Sequence, residues 1–291
     1  MPYDPVPRDR LLVPTGWLAA RLGARGLRVV DIRGVSLPPD RPKPWYLAKR
    51  DDYLTSHVPG AVFVDWARDI VEPDAPIAMT VAGPERFRAL MERLGIGDDT
   101  EVVVYDDAAN TAPRLWWALN YYGHPRVRLL DGGFPKWIAE GRPIEGGEPA
   151  PPRAAFTPRV TPGWRVGAAE VRAALGDAGV TLLDCRSPRE FTGEMSRGER
   201  PGRIPGALNL PASRLLDGEH TTWRDAAEIR RLVEAAGVRP DAAVVAYCNA
   251  GVSSSVGLFG LRLAGHPRAV NFAGSWYEWE RDPAHPVATG A

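Results

Sequence analysis

Residues 243–253 read Ala-Val-Val-Ala-Tyr-Cys-Asn-Ala-Gly-Val-Ser, and this stretch predicts a fold and a chemistry together. Its first half is apolar and rich in valine, which predicts a buried strand that ends at Tyr247. A short loop with Gly251 follows, and a helical pattern begins at Ser254. Loop amides and the positive end of a helix dipole would surround the sulfur of Cys248 and stabilise its anion. We therefore predict that Cys248 is a nucleophile.

An ordinary buried thiol is the alternative for each of the two cysteines. For Cys248 the nucleophile is favoured, because open α/β sheets bind their ligands at the carboxyl ends of strands. For Cys185 burial is favoured, because strand alternation turns its side chain away from those of Asp184 and Arg186. A resolving or regulatory role is the alternative for Cys185.

The composition predicts a soluble two-domain protein without a charged binding surface. The chain has 291 residues, of which 44% are hydrophobic and 25% charged. Lys+Arg and Asp+Glu balance at 36 each, so neither nucleic acid nor a membrane is expected as a partner. Residues 1–5 lack a signal-peptide pattern and no apolar run could span a bilayer, so we expect a cytoplasmic protein. With two cysteines and no Cys-x-x-Cys motif, neither a disulfide framework nor a metal is expected.

The second half of the chain repeats the landmarks of the first half in the same order. A run with Asp-x-Arg leads to a Pro-Gly-Ala turn, then to a second apolar run, and then to a glycine followed by aromatic residues. The matched positions are Asp31 and Asp184, His57 and Arg203, Asp106 and Cys248, and Gly132 and Gly274. Their offsets are 153, 146, 142 and 142 residues, so the two copies are collinear. We infer a duplicated domain.

Both copies alternate strand-like and helical runs, which predicts an α/β fold with a parallel sheet and helices on both of its faces. We predict an N-terminal domain over 1–142, a linker over 143–163 and a C-terminal domain over 164–291. Six prolines between Pro143 and Pro162 favour extended backbone in the linker. In the second copy the pattern predicts helices over 168–175, 226–236 and 254–264, and strands over 180–184, 243–247 and 269–272.

The paired Asp-x-Arg, (Val/Ile)-Pro-Gly-Ala and Gly-(Gly/Ser)-(Phe/Trp)-x-x-Trp landmarks, with a cysteine at the loop of the second copy alone, resemble a known family. They are similar to the tandem-domain rhodanese-like sulfurtransferases, which comprise thiosulfate and 3-mercaptopyruvate sulfurtransferases. The resemblance implies that Cys248 takes a sulfane sulfur from a small anionic donor and stores it as a persulfide. It also implies transfer of that sulfur to a thiol or cyanide, without an organic cofactor or a metal.

The first copy lacks the thiol that this chemistry needs. Asp106 stands where the second copy has Cys248, and Asp107 follows it. A carboxylate cannot carry a sulfane sulfur, so we predict a structural and substrate-covering role for the first copy. For Asp106 and Asp107 we favour capping of the next helix over a catalytic part.

An anionic persulfide needs several converging donors, and the consecutive backbone amides after Cys248 are the predicted cradle. Gly251 permits a positive φ or the close approach of a donor molecule. Serine hydroxyls in this segment could donate to the sulfur or cap the helix. The residues predicted for the cradle are Asn249, Ala250, Gly251, Val252 and Ser253, with Ser254 as possible support.

An anionic donor also needs a cation beside the thiolate. Arg186 ends the strand of Asp184 near the same sheet edge, and a guanidinium can grip a carboxylate or sulfonate with two parallel bonds. A structural Asp184–Arg186 pair is the alternative, but the matching arginine of the family contacts substrate, which favours Arg186 as the anchor. The resemblance also suggests Arg197 or Arg200 as a second cation, with a solvated loop arginine as the alternative.

The sequence leaves the preferred donor open. Thiosulfate enzymes of the family commonly carry basic residues directly after the cysteine, so the neutral Asn249-Ala250 pair favours mercaptopyruvate. The mercaptopyruvate branch usually has serine in place of Ala250, within a proposed Asp-His-Ser relay. His57 matches the histidine of that relay, but no acid stands at the matching position near Ala48. We favour an ordinary turn residue for His57.

Two other functions share this order of strand, cysteine, loop and helix. Phosphatases and arsenate reductases of the Cys-x5-Arg type need an arginine six positions after the cysteine. Ser254 stands there, which argues against them. A sulfur-carrier or redox-sensing protein would hold a persulfide on Cys248 but turn over slowly with small donors. It remains the alternative to the sulfurtransferase.

Overall fold

The structure is a computed structural model that describes residues 6–218, 221–266 and 268–290. Residues 1–5, where the sequence lacks a signal-peptide pattern, lie outside the described residues. Within the described ranges, no helix combines the length and the apolar character needed to cross a bilayer. The chain forms two α/β domains, each built on a parallel sheet of five strands.

The strands of the first domain are β1 (Leu12–Val13), β2 (Leu27–Asp31), β3 (Gly34–Ser36), β4 (Tyr46–Ala48), β5 (Val62–Phe63), β6 (Glu101–Tyr105) and β7 (Val127–Leu130). Its α-helices are α1 (Thr15–Ala19), α2 (Arg50–Thr55), α3 (Pro84–Arg93), α4 (Ala112–Tyr121) and α5 (Gly133–Ala139), after a 3-10 turn at Arg8–Arg10. The sheet order is β1-β7-β6-β2-β5, and β3 and β4 pair separately as an antiparallel ribbon.

The strands of the second domain are β8 (Arg165–Val166), β9 (Val180–Asp184), β10 (Leu208–Asn209), β11 (Leu216–Asp217), β12 (Thr222–Trp223), β13 (Ala243–Tyr247) and β14 (Ala269–Phe272). Its α-helices are α6 (Ala168–Ala173), α7 (Pro188–Thr192), α8 (Ala226–Ala235), α9 (Ser253–Leu263) and α10 (Ser275–Trp279), with a 3-10 turn at Ala212–Leu215. The order β10-β9-β13-β14-β8 repeats the connectivity of the first sheet, which confirms the duplicated parallel α/β fold.

The strands predicted over 180–184, 243–247 and 269–272 have the predicted bounds. The helices differ by one or two residues, since α6 and α8 end earlier than predicted and α9 is shifted by one residue toward the N-terminus. The chain turns after α6 at Gly176, whose φ of 80° favours glycine and ends the helical path. Periodicity therefore predicts the presence of these helices better than it predicts their terminal residues.

The proline-rich segment predicted as a linker contains no helix or strand between residues 146 and 161. It packs along the first domain, because the amides of Arg159 and Thr161 donate to the carbonyls of Tyr122 and Tyr121. Phe156 anchors the segment further and is buried. The segment is thus ordered, extended backbone that runs over the first domain before β8.

Helices α4 and α9 join the two domains, and each follows the central strand of its own sheet. The rings of Trp116 in α4 and Phe259 in α9 meet edge to face with centroids 4.8 Å apart. Such a contact contributes about 0.5–1.5 kcal/mol beyond its buried area. A single cluster of buried apolar side chains spans both domains around it. This packing brings together the loops that precede the two helices.

Candidate active site

Cys248 directly follows β13, beside the end of β9. The chain continues from β9 toward β10 on one side of the sheet and from β13 toward β14 on the other. Such a change of direction opens a crevice at the carboxyl ends of the two strands. A cavity of about 400 Å³ lies there, and Cys248 is part of its lining.

Both domains line this cavity. The first domain contributes the segment 108–110, which follows Asp106, together with Ser36 and Tyr46. Only 3% of Cys248 is exposed to solvent, so the first domain and the surrounding loops shield the thiol from bulk water. This geometry agrees with the covering role predicted for the first copy.

The loops of the two copies share an unusual backbone conformation. Gly251 has a φ of 78°, and Ala109, which lies 142 positions earlier, has a φ of 48°. A Cβ atom on Gly251 would lie 2.4 Å from the carbonyl oxygen of Ala273 and 2.6 Å from Nη1 of Arg114. No residue larger than glycine fits at position 251 without displacing one of these groups.

In the first domain, the carboxylate of Asp106 fills the cradle that its loop forms. One carboxylate oxygen accepts from the amides of Ala108 and Ala109, at 3.3 and 2.7 Å. The other accepts from the amides of Asn110, Thr111 and Ala112, at 2.7–2.8 Å. Five consecutive amides therefore converge on one anion. The sequence predicted that Asp106 caps the next helix, and the observed contacts include the first amide of that helix and four amides of the loop before it.

In the second domain the matching amides are unoccupied. Among the described residues, none of the backbone amides over 250–254 donates a hydrogen bond to a protein acceptor. Cys248 occupies the position that matches Asp106. Its side chain is shorter than that of aspartate and ends in a sulfur atom. The second loop therefore presents the same run of amides beside the sulfur of Cys248, in a form suited to binding an anion.

Serine hydroxyls surround the thiol. The Sγ of Cys248 lies 3.5 Å from Oγ of Ser254 and 3.9 Å from Oγ of Ser275. Ser254 in turn donates to Oδ1 of Asn271 at 2.7 Å, and Ser275 accepts from the amide of Cys248 at 3.1 Å. Ser254, proposed from the sequence as support, is thus beside the sulfur, whereas sequence reasoning missed Ser275 and Asn271.

Arg186 and Asp184 form a buried ion pair at the end of β9. Nη2 of Arg186 lies 2.6 Å from Oδ2 of Asp184 and also donates to the carbonyl of Gly202. Asp31 and Arg33 form the same buried pair in the first domain, so the pair belongs to the fold of both copies. Arg186 nevertheless lines the cavity. Both alternatives considered for Arg186 therefore have geometric support.

Arg197 is the second arginine that lines the cavity, and its guanidinium has fewer protein contacts than that of Arg186. Its Nε lies 3.6 Å from Oε1 of Glu190, while its Nη1 is buried without a hydrogen-bond partner in the described part of the chain. The guanidinium carbon lies 5.5 Å from the ring of Trp45 and 5.8 Å from that of Tyr46. A buried donor without an acceptor is costly, so this position suits an anionic ligand.

The other two predicted polar residues lie elsewhere. Arg200 does not line the cavity, because its guanidinium donates to the carbonyls of Glu280, Asp282 and His285 and holds a loop in place. His57 is buried in the first domain, where Nδ1 lies 2.8 Å from the carbonyl of Tyr53. The structure therefore brings Arg197 to the cavity but neither Arg200 nor His57. The backbone of His57 pairs with Glu145 in an isolated bridge directly before the turn at 58–60.

Asn249, also predicted for the cradle, has a different contact. Its Nδ2 donates to Oε1 of Glu190 at 2.8 Å, which ties the loop to α7. Cys185 is buried as expected, and burial raises the pKa of its thiol well above the usual value. Cys185 therefore stays protonated at neutral pH, although it lines the same cavity as Cys248.

Comparisons with known proteins agree with this architecture. The rhodanese-like domain family matches residues 15–140 and 167–282. A thiosulfate sulfurtransferase of Corynebacterium glutamicum is 35% identical over 99% of this chain and 96% of its own length. The sulfur carrier protein TtuD of Thermus thermophilus is 33% identical over 96% of this chain and 97% of its own. SseA of Escherichia coli, whose crystal structure is described among 3-mercaptopyruvate sulfotransferases, superposes with a TM-score of 0.82 at 28% identity, covering 91% of this chain and 98% of its own.

Two tandem α/β domains, together with sulfurtransferase relatives that match nearly the whole chain, define the class as a two-domain sulfurtransferase. The chain belongs to the rhodanese-like family.

Proposed function

We propose that the protein moves a sulfane sulfur from thiosulfate or 3-mercaptopyruvate, through a persulfide on Cys248, to a thiol or cyanide. The observation that carries this proposal is the set of five amides over 250–254, which have no acceptor among the described residues. In the first copy the matching amides bind the carboxylate of Asp106. Such a cradle suits a group that becomes negatively charged on Cys248 during the reaction.

In the first step, the Cys248 thiolate attacks the sulfane sulfur of the donor and a new S–S bond forms. With thiosulfate, the donor S–S bond breaks and sulfite leaves with the electron pair. With mercaptopyruvate, the C–S bond breaks and the enolate of pyruvate leaves, then takes up a proton. The terminal sulfur of the persulfide extends beyond Sγ toward the amides over 250–254, which offset its negative charge without a metal or an organic cofactor.

The two arginines of the cavity would hold the donor by its anionic end. Arg186 and Arg197 both line the cavity, and Nη1 of Arg197 is buried without a hydrogen-bond partner among the described residues. A carboxylate or sulfonate between them would gain charge-assisted hydrogen bonds while its sulfur lies against Cys248. The loop after Cys248 adds no further cation, since Asn249 and Ala250 are neutral.

In the second step, the acceptor attacks the terminal sulfur and Cys248 leaves as a thiolate. A groove of about 1460 Å³ adjoins the cavity, and Tyr46 and Arg197 line both spaces. Trp45, Tyr46 and Tyr277 contribute aromatic surface to the groove. This groove would admit an acceptor that is larger than the donor. We further propose a cytoplasmic location, where both cysteines remain reduced between turnovers.

Mass spectrometry of the intact protein tests the proposal. After incubation with thiosulfate or mercaptopyruvate, the protein should gain the mass of one sulfur atom at Cys248, and cyanide should remove it as thiocyanate. A Cys185→Ser variant should gain the same sulfur, because its nucleophile is intact. No added sulfur with either donor would contradict the proposal. Added sulfur with negligible steady-state turnover would instead favour a carrier, the role named for the relative TtuD.

Replacement of Arg197 by methionine should raise KM for the donor by about 10- to 100-fold, because a charged hydrogen bond contributes about 1.5–3 kcal/mol. The kcat value should change less, since the guanidinium contacts the anionic end of the donor rather than the reacting sulfur. Steady-state kinetics with both donors measures the effect.

Arg200→Met is the matched control, because Arg200 lies in the same loop but bonds to carbonyls outside the cavity. It should lower thermal stability and leave KM within about threefold of the wild-type value. Equal changes of KM in the two variants would show that the conformation of the loop, and not the Arg197 guanidinium itself, determines donor binding.

A further inference from the structure

Arg114 is a cation of the first domain that lies against the catalytic loop of the second. It belongs to α4, and only 1% of it is exposed. Its Nη1 donates to the carbonyl of Gly251 at 3.1 Å, and its Nη2 donates to the carbonyl of Met79 at 3.0 Å. The guanidinium also stacks on the ring of Trp117, 4.5 Å from the centroid. Arg114 thus connects the two domains at the loop that follows Cys248.

No carboxylate balances this charge in the part of the chain that the structure describes. Burial lowers the pKa of Arg114 to about 10, and the nearby Cys248 acts in the opposite sense, so the guanidinium remains charged at neutral pH. A buried cation without an anionic partner is costly. The group beside Arg114 that acquires negative charge is the sulfur of Cys248 on its loop.

The contact with Gly251 also determines where an amide points. The carbonyl of Gly251 accepts from Arg114 across the domain boundary at 3.1 Å and from Oγ of Ser255 in its own domain at 2.7 Å. In a trans peptide the C=O and N–H bonds point in opposite directions, so a carbonyl held by Arg114 directs the N–H of Val252 away from α4. The matching amide of the first copy, that of Asn110, donates to the carboxylate of Asp106 at 2.8 Å. The same peptide orientation in the second copy directs the Val252 amide toward the sulfur on Cys248.

The contact is not reciprocal between the domains. The position of α9 that matches Arg114, 142 residues later, is Val256, which cannot donate a hydrogen bond to the loop of the first domain. That loop needs no such support, because the carboxylate of Asp106 holds its amides in place. Among the described residues, the loop whose amides lack a protein acceptor is the one that receives a cation from the other domain.

We infer that Arg114 is a positioning residue for sulfur transfer: by holding the Gly251 carbonyl, it aligns the Val252 amide and stabilises negative charge on Cys248. The inference rests on the proposed function for the nature of the anion, which is a persulfide. It assigns to the first domain a part in the reaction itself, in addition to covering the cavity. Because Arg114 does not line the cavity, it acts on the sulfur and not on the donor.

Arg114→Met and Arg114→Lys, both in a Cys185→Ser background that leaves one thiol, test this role. Two rates are measured: alkylation of Cys248 by iodoacetamide, and formation of the persulfide at saturating donor. Arg114→Met should lower both rates by about tenfold, the effect of one lost charge-assisted interaction, with KM for the donor nearly unchanged. Arg114→Lys keeps the charge and one donor, and should recover part of the loss.

Arg33→Lys is the control, because Arg33 is equally buried in the first domain but pairs with Asp31 and does not contact the catalytic loop. It should lower the melting temperature without changing the alkylation rate. Wild-type rates in folded Arg114→Met, or equal rate losses in Arg33→Lys and Arg114→Lys, would overturn the inference. A wild-type protein that accepts no sulfur would overturn the proposed function alone, since alkylation would still report on Arg114.

Discussion

Cys248→Ser should reduce sulfur transfer to background, a loss of about four orders of magnitude or more in kcat/KM. A serine hydroxyl does not ionise near neutral pH and cannot store a sulfane sulfur. The substitution is nearly isosteric and places a hydroxyl among Ser254, Ser275 and the loop amides, so the fold should remain intact. Steady-state assays with both donors, together with thermal unfolding, measure the two effects separately.

Cys185→Ser is the matched control for this prediction, because it removes the other thiol of the cavity. Its activity should stay within about threefold of the wild-type value, since burial keeps the Cys185 thiol protonated and it takes no part in the proposed transfer. Substantial turnover by Cys248→Ser would show that a different nucleophile carries the sulfur. Loss of activity in both variants would show that the two thiols act as a pair.

Asp106→Ala should lower the free energy of unfolding by about 3 kcal/mol or more, because five buried or partly buried amides lose their acceptor at once. Chemical denaturation measures this loss. The persulfide should still form on Cys248, because the second copy keeps its own cradle. KM for the donor should rise, since the segment 108–110 lines the cavity and depends on Asp106 for its conformation.

Added sulfate provides an internal test of the same prediction. An anion that enters the emptied cradle should restore part of the stability of Asp106→Ala, in proportion to its occupancy. The wild-type protein should gain less, because its first cradle is already occupied. A melting temperature of Asp106→Ala equal to that of the wild type would mean that the amides do not depend on the carboxylate.

The sequence predicted the duplicated fold and the position of Cys248 at the end of a central strand because both follow from local patterns. Alternating apolar runs gave the strands, and the order of strand, cysteine, glycine loop and helix placed Cys248. Arg114, Ser275 and Asn271 were missed because each comes to the site from a separate element. A signal for Arg114 was present, however, since it is the single charged residue of the apolar helix Ala112–Tyr121.

The arginines show where sequence patterns stop being informative. Arg186 was considered as a donor anchor and as the partner of Asp184, and both roles place it at the end of the same strand. In the structure it pairs with Asp184 and also lines the cavity. Arg197 and Arg200 are three residues apart in one irregular loop, so periodicity could not separate them. Only the path of that loop determines that Arg197 turns inward while Arg200 bonds to carbonyls near the C-terminus.

The apolar cluster that spans the boundary between α4 and α9 has a consequence for how the molecule can be divided. Excision of the second copy would expose the ring of Phe259 that packs on Trp116 and would leave the Gly251 carbonyl without Arg114. The duplication is therefore no longer modular. Each of the two copies depends on the other to bury its side of the shared apolar cluster, so neither is expected to fold and function alone.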